Sequence, residues 1–112
     1  MKIAGVVTLY YPDKSVVYNI TTYLRYVDVL YIVLNSKISL DIMKSLHSFR
    51  NIIIINMEEN SGIAKAVNTV LVKIKNKYTW CLTMDQDSFF YEGEFEGYLS
   101  ILKNVDAKKF ME

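Results

Sequence analysis

The chain has one cysteine, one proline, one histidine and four glycines among 112 residues. A lone cysteine, Cys81, excludes an internal disulfide and any zinc site built on cysteine pairs. It lies inside an apolar run, so a buried, unreactive thiol is expected. A lone histidine, His47, falls on a predicted helix away from the polar loops, which leaves Ser-His-Asp and Cys-His catalysis without support. Little glycine and proline, with 52% hydrophobic residues, excludes a disordered chain. The net charge is only +1 and the 13 basic residues form no long block. The electrostatic footprint of a nucleic-acid-binding protein is therefore missing, and no nucleic-acid partner is expected. No apolar run approaches the ~18 residues of a membrane-spanning helix. The first apolar run is too short for a signal peptide. What remains is one globular domain with a modest core. It is expected in a reducing, cytoplasmic setting, with attachment to the inner face of the plasma membrane left open.

What is present is a regular alternation of two patterns. Residues 3–9 (IAGVVTL) are apolar and rich in β-branched side chains, as in a strand buried on both faces. Tyr10, Tyr11 and Pro12 break the run, and Asp13 can cap a helix. Val16, Val17, Ile20, Tyr23, Leu24 and Val27 then recur at helical spacing. Residues 28–34 form a second strand, followed by the polar Asn35-Ser36-Lys37. A weaker helical pattern covers 38–49, with Ser39 or Asp41 near its start. Residues 51–56 contain four consecutive isoleucines, a third strand. Beyond the loop 58–62, Ile63, Ala66, Val67, Val70, Leu71 and Ile74 mark an amphipathic helix, and Lys73, Lys75 and Lys77 at its end suit the helix dipole. Residues 78–84 form the fourth strand. Phe95, Tyr98, Leu99 and Leu102 suggest a final helix. The succession βαβαβαβ with a tail helix predicts an α/β fold, a mainly parallel sheet of about four strands between helices on both faces.

In such a sheet the C-terminal strand ends share one edge, where ligands bind. Four loops converge there: 8–13, 35–37, 58–62 and 85–88. The last carries Asp85 and Asp87, one residue apart directly after a buried strand. Two carboxylates so placed can hold a divalent cation, magnesium or manganese, and through it a phosphate. In the loop 58–62, Asn60, Ser61 and Gly62 open a helix whose free N–H groups favour an anion. Gly62 would let a ligand approach closely. Thr8 and Tyr10 end the first strand and Asn35 the second, all within reach of a ligand at that edge.

Three stretches together resemble a known family. They are Val6-Val7-Thr8-Leu9-Tyr10-Tyr11-Pro12, Asn60-Ser61-Gly62-Ile63-Ala64-Lys65-Ala66-Val67-Asn68, and Trp80-Cys81-Leu82-Thr83-Met84-Asp85-Gln86-Asp87-Ser88. In this order and spacing, over residues 3–88, they resemble family 2 glycosyltransferases of the GT-A fold, in particular the rhamnosyltransferase-like subgroup. The resemblance implies a Rossmann-like three-layer sandwich, the N-terminal half of a GT-A fold. It also implies a nucleotide-diphosphate sugar as donor, dTDP-rhamnose among the candidates, and a saccharide or lipid-linked acceptor in polysaccharide biosynthesis. Asp85-Gln86-Asp87 would be the DxD motif. Asp87 would bind the metal on the diphosphate, and Asp85 would lie near the ribose or donor sugar. Thr8 and Tyr10 would flank the base, and the loop from Asn60 to Gly62 would line the pocket.

Two residues depart from the pattern. Leu34 stands where the family usually carries an acid at the end of the second strand, and an apolar residue cannot accept a hydrogen bond from a base. Val67 stands where many members carry arginine. Family members also continue past this point into an acceptor-binding half that supplies the catalytic base, so residues 1–112 are expected to form the donor-binding part, with no base to name. Two other classes compete. A non-catalytic remnant or interaction module would fit the Leu34 change, with the free edge of the fourth strand inviting self-association into a homo-oligomer. A phosphatase of the haloacid-dehalogenase type also places Asp-x-Asp after a strand, but there three βα units would not precede it.

Overall fold

The computed structural model describes residues 2–57 and 62–111, with side chains described as far as Lys103. The chain folds into four strands, β1 (Ile3–Leu9), β2 (Val29–Leu34), β3 (Ile52–Asn56) and β4 (Trp80–Met84). The helices are α1 (Ser15–Thr21), α2 (Leu40–His47), α3 (Ile63–Ile74) and α4 (Glu94–Met111), with a short 3-10 turn at Leu24–Tyr26. All strands are parallel, in the order β3-β2-β1-β4. This is the α/β architecture expected from the alternating patterns. The chain first builds outward from β1 to β3, then crosses back to place β4 on the other side of β1.

Alternation along β1 and β2 sorts the core into two layers. Ile3, Val7 and Leu9 with Leu30, Ile32 and Leu34 pack against Val16 and Ile20 of α1, Ile42 and Leu46 of α2, and Phe95 of α4. Ala4 and Val6 with Val29, Tyr31 and Val33 meet Ala66, Val70 and Ile74 of α3 on the opposite face. Gly5 allows close packing within the first layer, since a Cβ there would stand 3.0 Å from Leu30 Cδ1.

One expected element is modified. The helical pattern over residues 16–27 breaks into α1 and the 3-10 turn. The Thr21 hydroxyl donates to the Tyr18 carbonyl and that of Thr22 to the Asn19 carbonyl, both at 2.6 Å. Such back-bonding competes with the helical ladder, which ends there. Asp13 accepts the backbone N–H of Ser15 at 2.9 Å, while Ser39 rather than Asp41 caps α2, accepting from Ile42 N at 3.3 Å.

The other correction concerns Cys81, which is half-buried rather than buried. The reason is topological: β4 is an edge strand, and among the described residues it pairs with β1 alone. Partial burial still pushes the thiol above its ordinary pKa, which lowers the thiolate fraction. Alkylation by iodoacetamide at about pH 8 is therefore expected to run slower in the folded protein than in urea. Equal rates in the two states would contradict this.

Candidate functional site

The C-terminal strand ends enclose a cavity of about 740 Å³. Thr8 and Tyr10 come from the end of β1, Asn35 from the end of β2, Gly62 from the start of α3, and Asp85 and Asp87 from the turn after β4, all lining this one space. Asn60, also expected to line a ligand site, lies outside the described residues. Val6, Ile63, Val67, Thr83, Met84, Gln86 and Ser88 complete the wall. Gln86 and Ser88 belong to the loop expected at this edge; Val6, Ile63, Val67, Thr83 and Met84 escaped sequence reasoning because nothing local marks such strand and helix residues as facing a ligand.

The turn after β4 is built by its own backbone. Ser88 N donates to the Asp85 carbonyl at 3.0 Å, a β-turn with Gln86 and Asp87 at its centre. Both acids are exposed, whereas Gln86 is half-buried. The side-chain amide of Gln86 bonds both backbone groups of Tyr10, accepting from its N–H at 2.9 Å and donating to its carbonyl at 3.2 Å. The Gln86 carbonyl in turn accepts from Nδ2 of Asn19 at 3.2 Å. Asn19 sits on α1 and is buried, which makes it a support that the helical pattern alone did not reveal.

The exit of β1 is held from its other side as well. Tyr11 has a left-handed backbone, φ 45°, which costs about 1–3 kcal/mol for a non-glycine residue and persists only when its surroundings enforce it. Its N–H donates to Ser36 Oγ at 2.7 Å. Nearby, Gly62 has φ 83° and a Cβ would meet nothing within 4 Å. Glycine is required there by conformation, and the space beside it is open. Nδ2 of Asn35 donates to the Gly62 carbonyl at 3.4 Å, so the ends of β2 and α3 are tied together. Beyond the turn, Phe90 N donates to Thr22 Oγ1 at 2.9 Å. The Phe90 ring packs edge-on against Phe95, which stacks on Tyr26, each at 4.8 Å.

The departure at position 34 changes meaning here. Leu34 is 2% exposed and belongs to the layer under α1 and α2. Its side chain points away from the cavity. The residue at the end of β2 that lines the cavity is Asn35, which carries both a donor and an acceptor. Val67, by contrast, does line it, so an arginine at that position would have faced the ligand.

The charge of the wall is one-sided. Among the described residues, its lining includes two carboxylates and no lysine, arginine or histidine. Among the described residues no cluster of three or more His, Cys, Asp or Glu could hold a metal unaided. Two protein carboxylates suit a magnesium-like ion that takes its remaining oxygens from water and from a bound phosphate. Among the described residues, this donor set suits a metal that arrives with an anionic ligand. His47, at the end of α2, is exposed and absent from the wall.

The family model described as Glycosyl transferase family 2 matches residues 19–107. Comparisons with curated proteins and with solved structures found no match.

Proposed function

The chain belongs to glycosyl transferase family 2, and from that membership we propose that its cavity binds a nucleotide-diphosphate sugar as the donor for glycosyl transfer. The observation that carries this reading is the cavity's charge. Among the described residues, two acids and no cationic side chain line it. A divalent cation held there would offset the repulsion between these acids and a diphosphate. Members of the family commonly use divalent metals. Asp87, with Asp85 beside it, would hold the ion, which when bound supplies Lewis-acid stabilisation of the leaving diphosphate.

The chain's own residues would do the rest. The first N–H groups of α3 face an anion favourably, because no helical carbonyl uses them. Thr8 and Tyr10 would flank the base, Asn35 would offer the base or ribose an amide, and Asp85 would approach the ribose or donor sugar. Among the described residues, Asp85 and Asp87 are the acids that line the cavity, and no catalytic base is assigned. The acceptor is proposed to be a saccharide or a lipid-linked saccharide, with dTDP-rhamnose the first donor to try. Family membership replaces the phosphatase alternative.

Calorimetric titration with UDP- and dTDP-sugars tests the reading. Binding is expected with magnesium or manganese present and is expected to weaken strongly on chelation with EDTA. Failure of every such donor to bind with either metal would overturn it.

A further inference from the structure

We propose that Gln86 is a positioning residue that couples the metal-binding half of the cavity to the nucleotide-binding half. The proposal rests on the donor-site reading above and concerns how that site is held together. The backbone ladder between β1 and β4 ends at the pair Val7 and Met84. Beyond it the two chains diverge, one into the strained Tyr10-Tyr11 exit and the other into the Asp85–Ser88 turn. The Gln86 amide bridges this gap by pairing with both the N–H and the carbonyl of Tyr10. It acts as one more rung, made by a side chain.

Its placement between the two acids gives the rung its consequence. Asp85 and Asp87 flank Gln86 in a turn closed by its own hydrogen bond, and Asn19 holds the Gln86 carbonyl from below. Fixing Gln86 to Tyr10 therefore fixes both carboxylates relative to Thr8 and Tyr10. A ligand touching the acids through its diphosphate and metal, and the β1 exit through its base, meets two halves already in register. Little ordering entropy is then lost on binding. An amide is also the fitting group for the position. It presents one donor and one acceptor, as the Tyr10 peptide requires, and adds no third negative charge to the turn.

The test uses Gln86→Ala and Gln86→Met, the second keeping the length of the side chain while removing the amide. Two quantities are read. One is the exchange rate of the Tyr10 amide proton in the ligand-free protein, measured by NMR. The other is the factor by which manganese raises affinity for UDP, from titrations with and without the metal. In the unsubstituted protein the Tyr10 amide is expected to be protected. In both variants it exchanges faster and the manganese factor falls by about 10-fold, with the unfolding midpoint little changed. Rapid Tyr10 exchange in the unsubstituted protein would overturn the clamp without any variant. An unchanged manganese factor in folded Gln86→Met would overturn the coupling. If UDP with manganese fails to bind the unsubstituted protein, the donor-site reading falls instead, and Tyr10 exchange still judges the clamp.

Discussion

Asp87→Ala is expected to weaken metal-dependent binding of a nucleotide-diphosphate sugar by about 100-fold, which corresponds to roughly 2.7 kcal/mol. The size follows from the composition of the wall. Among the described residues two carboxylates and no cationic side chain line the cavity, so each acid is half of what those residues offer a cation. Losing one leaves an ion held mainly by water and the ligand itself. Binding of the donor without metal should not weaken, because Asp87 acts through the ion. Asp85→Ala should differ in kind. Its proposed place near the ribose or donor sugar makes it affect affinity with and without metal. Both acids are exposed in the turn, so either variant should keep its unfolding midpoint within about 0.5 kcal/mol of the parent. Calorimetry with manganese titrated at fixed donor reads both effects. Equal donor affinity for Asp87→Ala and the parent at saturating manganese would remove Asp87 from the proposed metal site.

Leu34→Asp is expected to destabilise the fold by about 3–5 kcal/mol, because it leaves an unpaired charge in a packed layer. The unfolding midpoint should fall by roughly 10 °C or more. The substitution restores the acid that the family usually carries at this point in the sequence, and motif matching alone would predict a gain in nucleotide affinity. The packing predicts the reverse. Leu34 is 2% exposed and packs in the layer beneath α1 and α2, whereas the cavity lies on the other side of the strand end. Since a domain of this size has a net stability of only about 5–15 kcal/mol, the loss is a large fraction of the whole. Leu34→Ala serves as the comparison, losing packing without adding charge, at about 2–5 kcal/mol. If Leu34→Asp kept its midpoint and bound nucleotide more tightly than the parent, Leu34 would have to face the cavity.

These two residues also show how far the sequence could be read. Asp85 and Asp87 were legible because a buried strand followed by a pair of acids is a local pattern, and every parallel strand delivers its end to the same edge. β1 begins and ends where its apolar run does, and α3 where its helical spacing does, since each is defined by burial that repeats along the chain. The helical pattern over residues 16–27 runs past the end of α1 because Thr21 and Thr22 look like ordinary members of it. Only their hydroxyl bonds to the Tyr18 and Asn19 carbonyls stop the helix. The direction in which Leu34 and Asn35 point was not legible from motif matching, although the period of two along β2 sets it once the strand is buried on known faces.

The sequence by itself determined the succession of elements, the parallel sheet and the carboxylate pair at its edge. The reason is that hydrophobic period and strand-end chemistry are written within a few residues of one another. Tertiary structure alone decided the order β3-β2-β1-β4 and, through it, the meeting of Gln86 with a peptide group 76 positions away. A side-chain amide can satisfy many partners equally well. Which one it finds depends on the strand that lies alongside, and that is settled by the packing of helices on both faces rather than by the residues next to it.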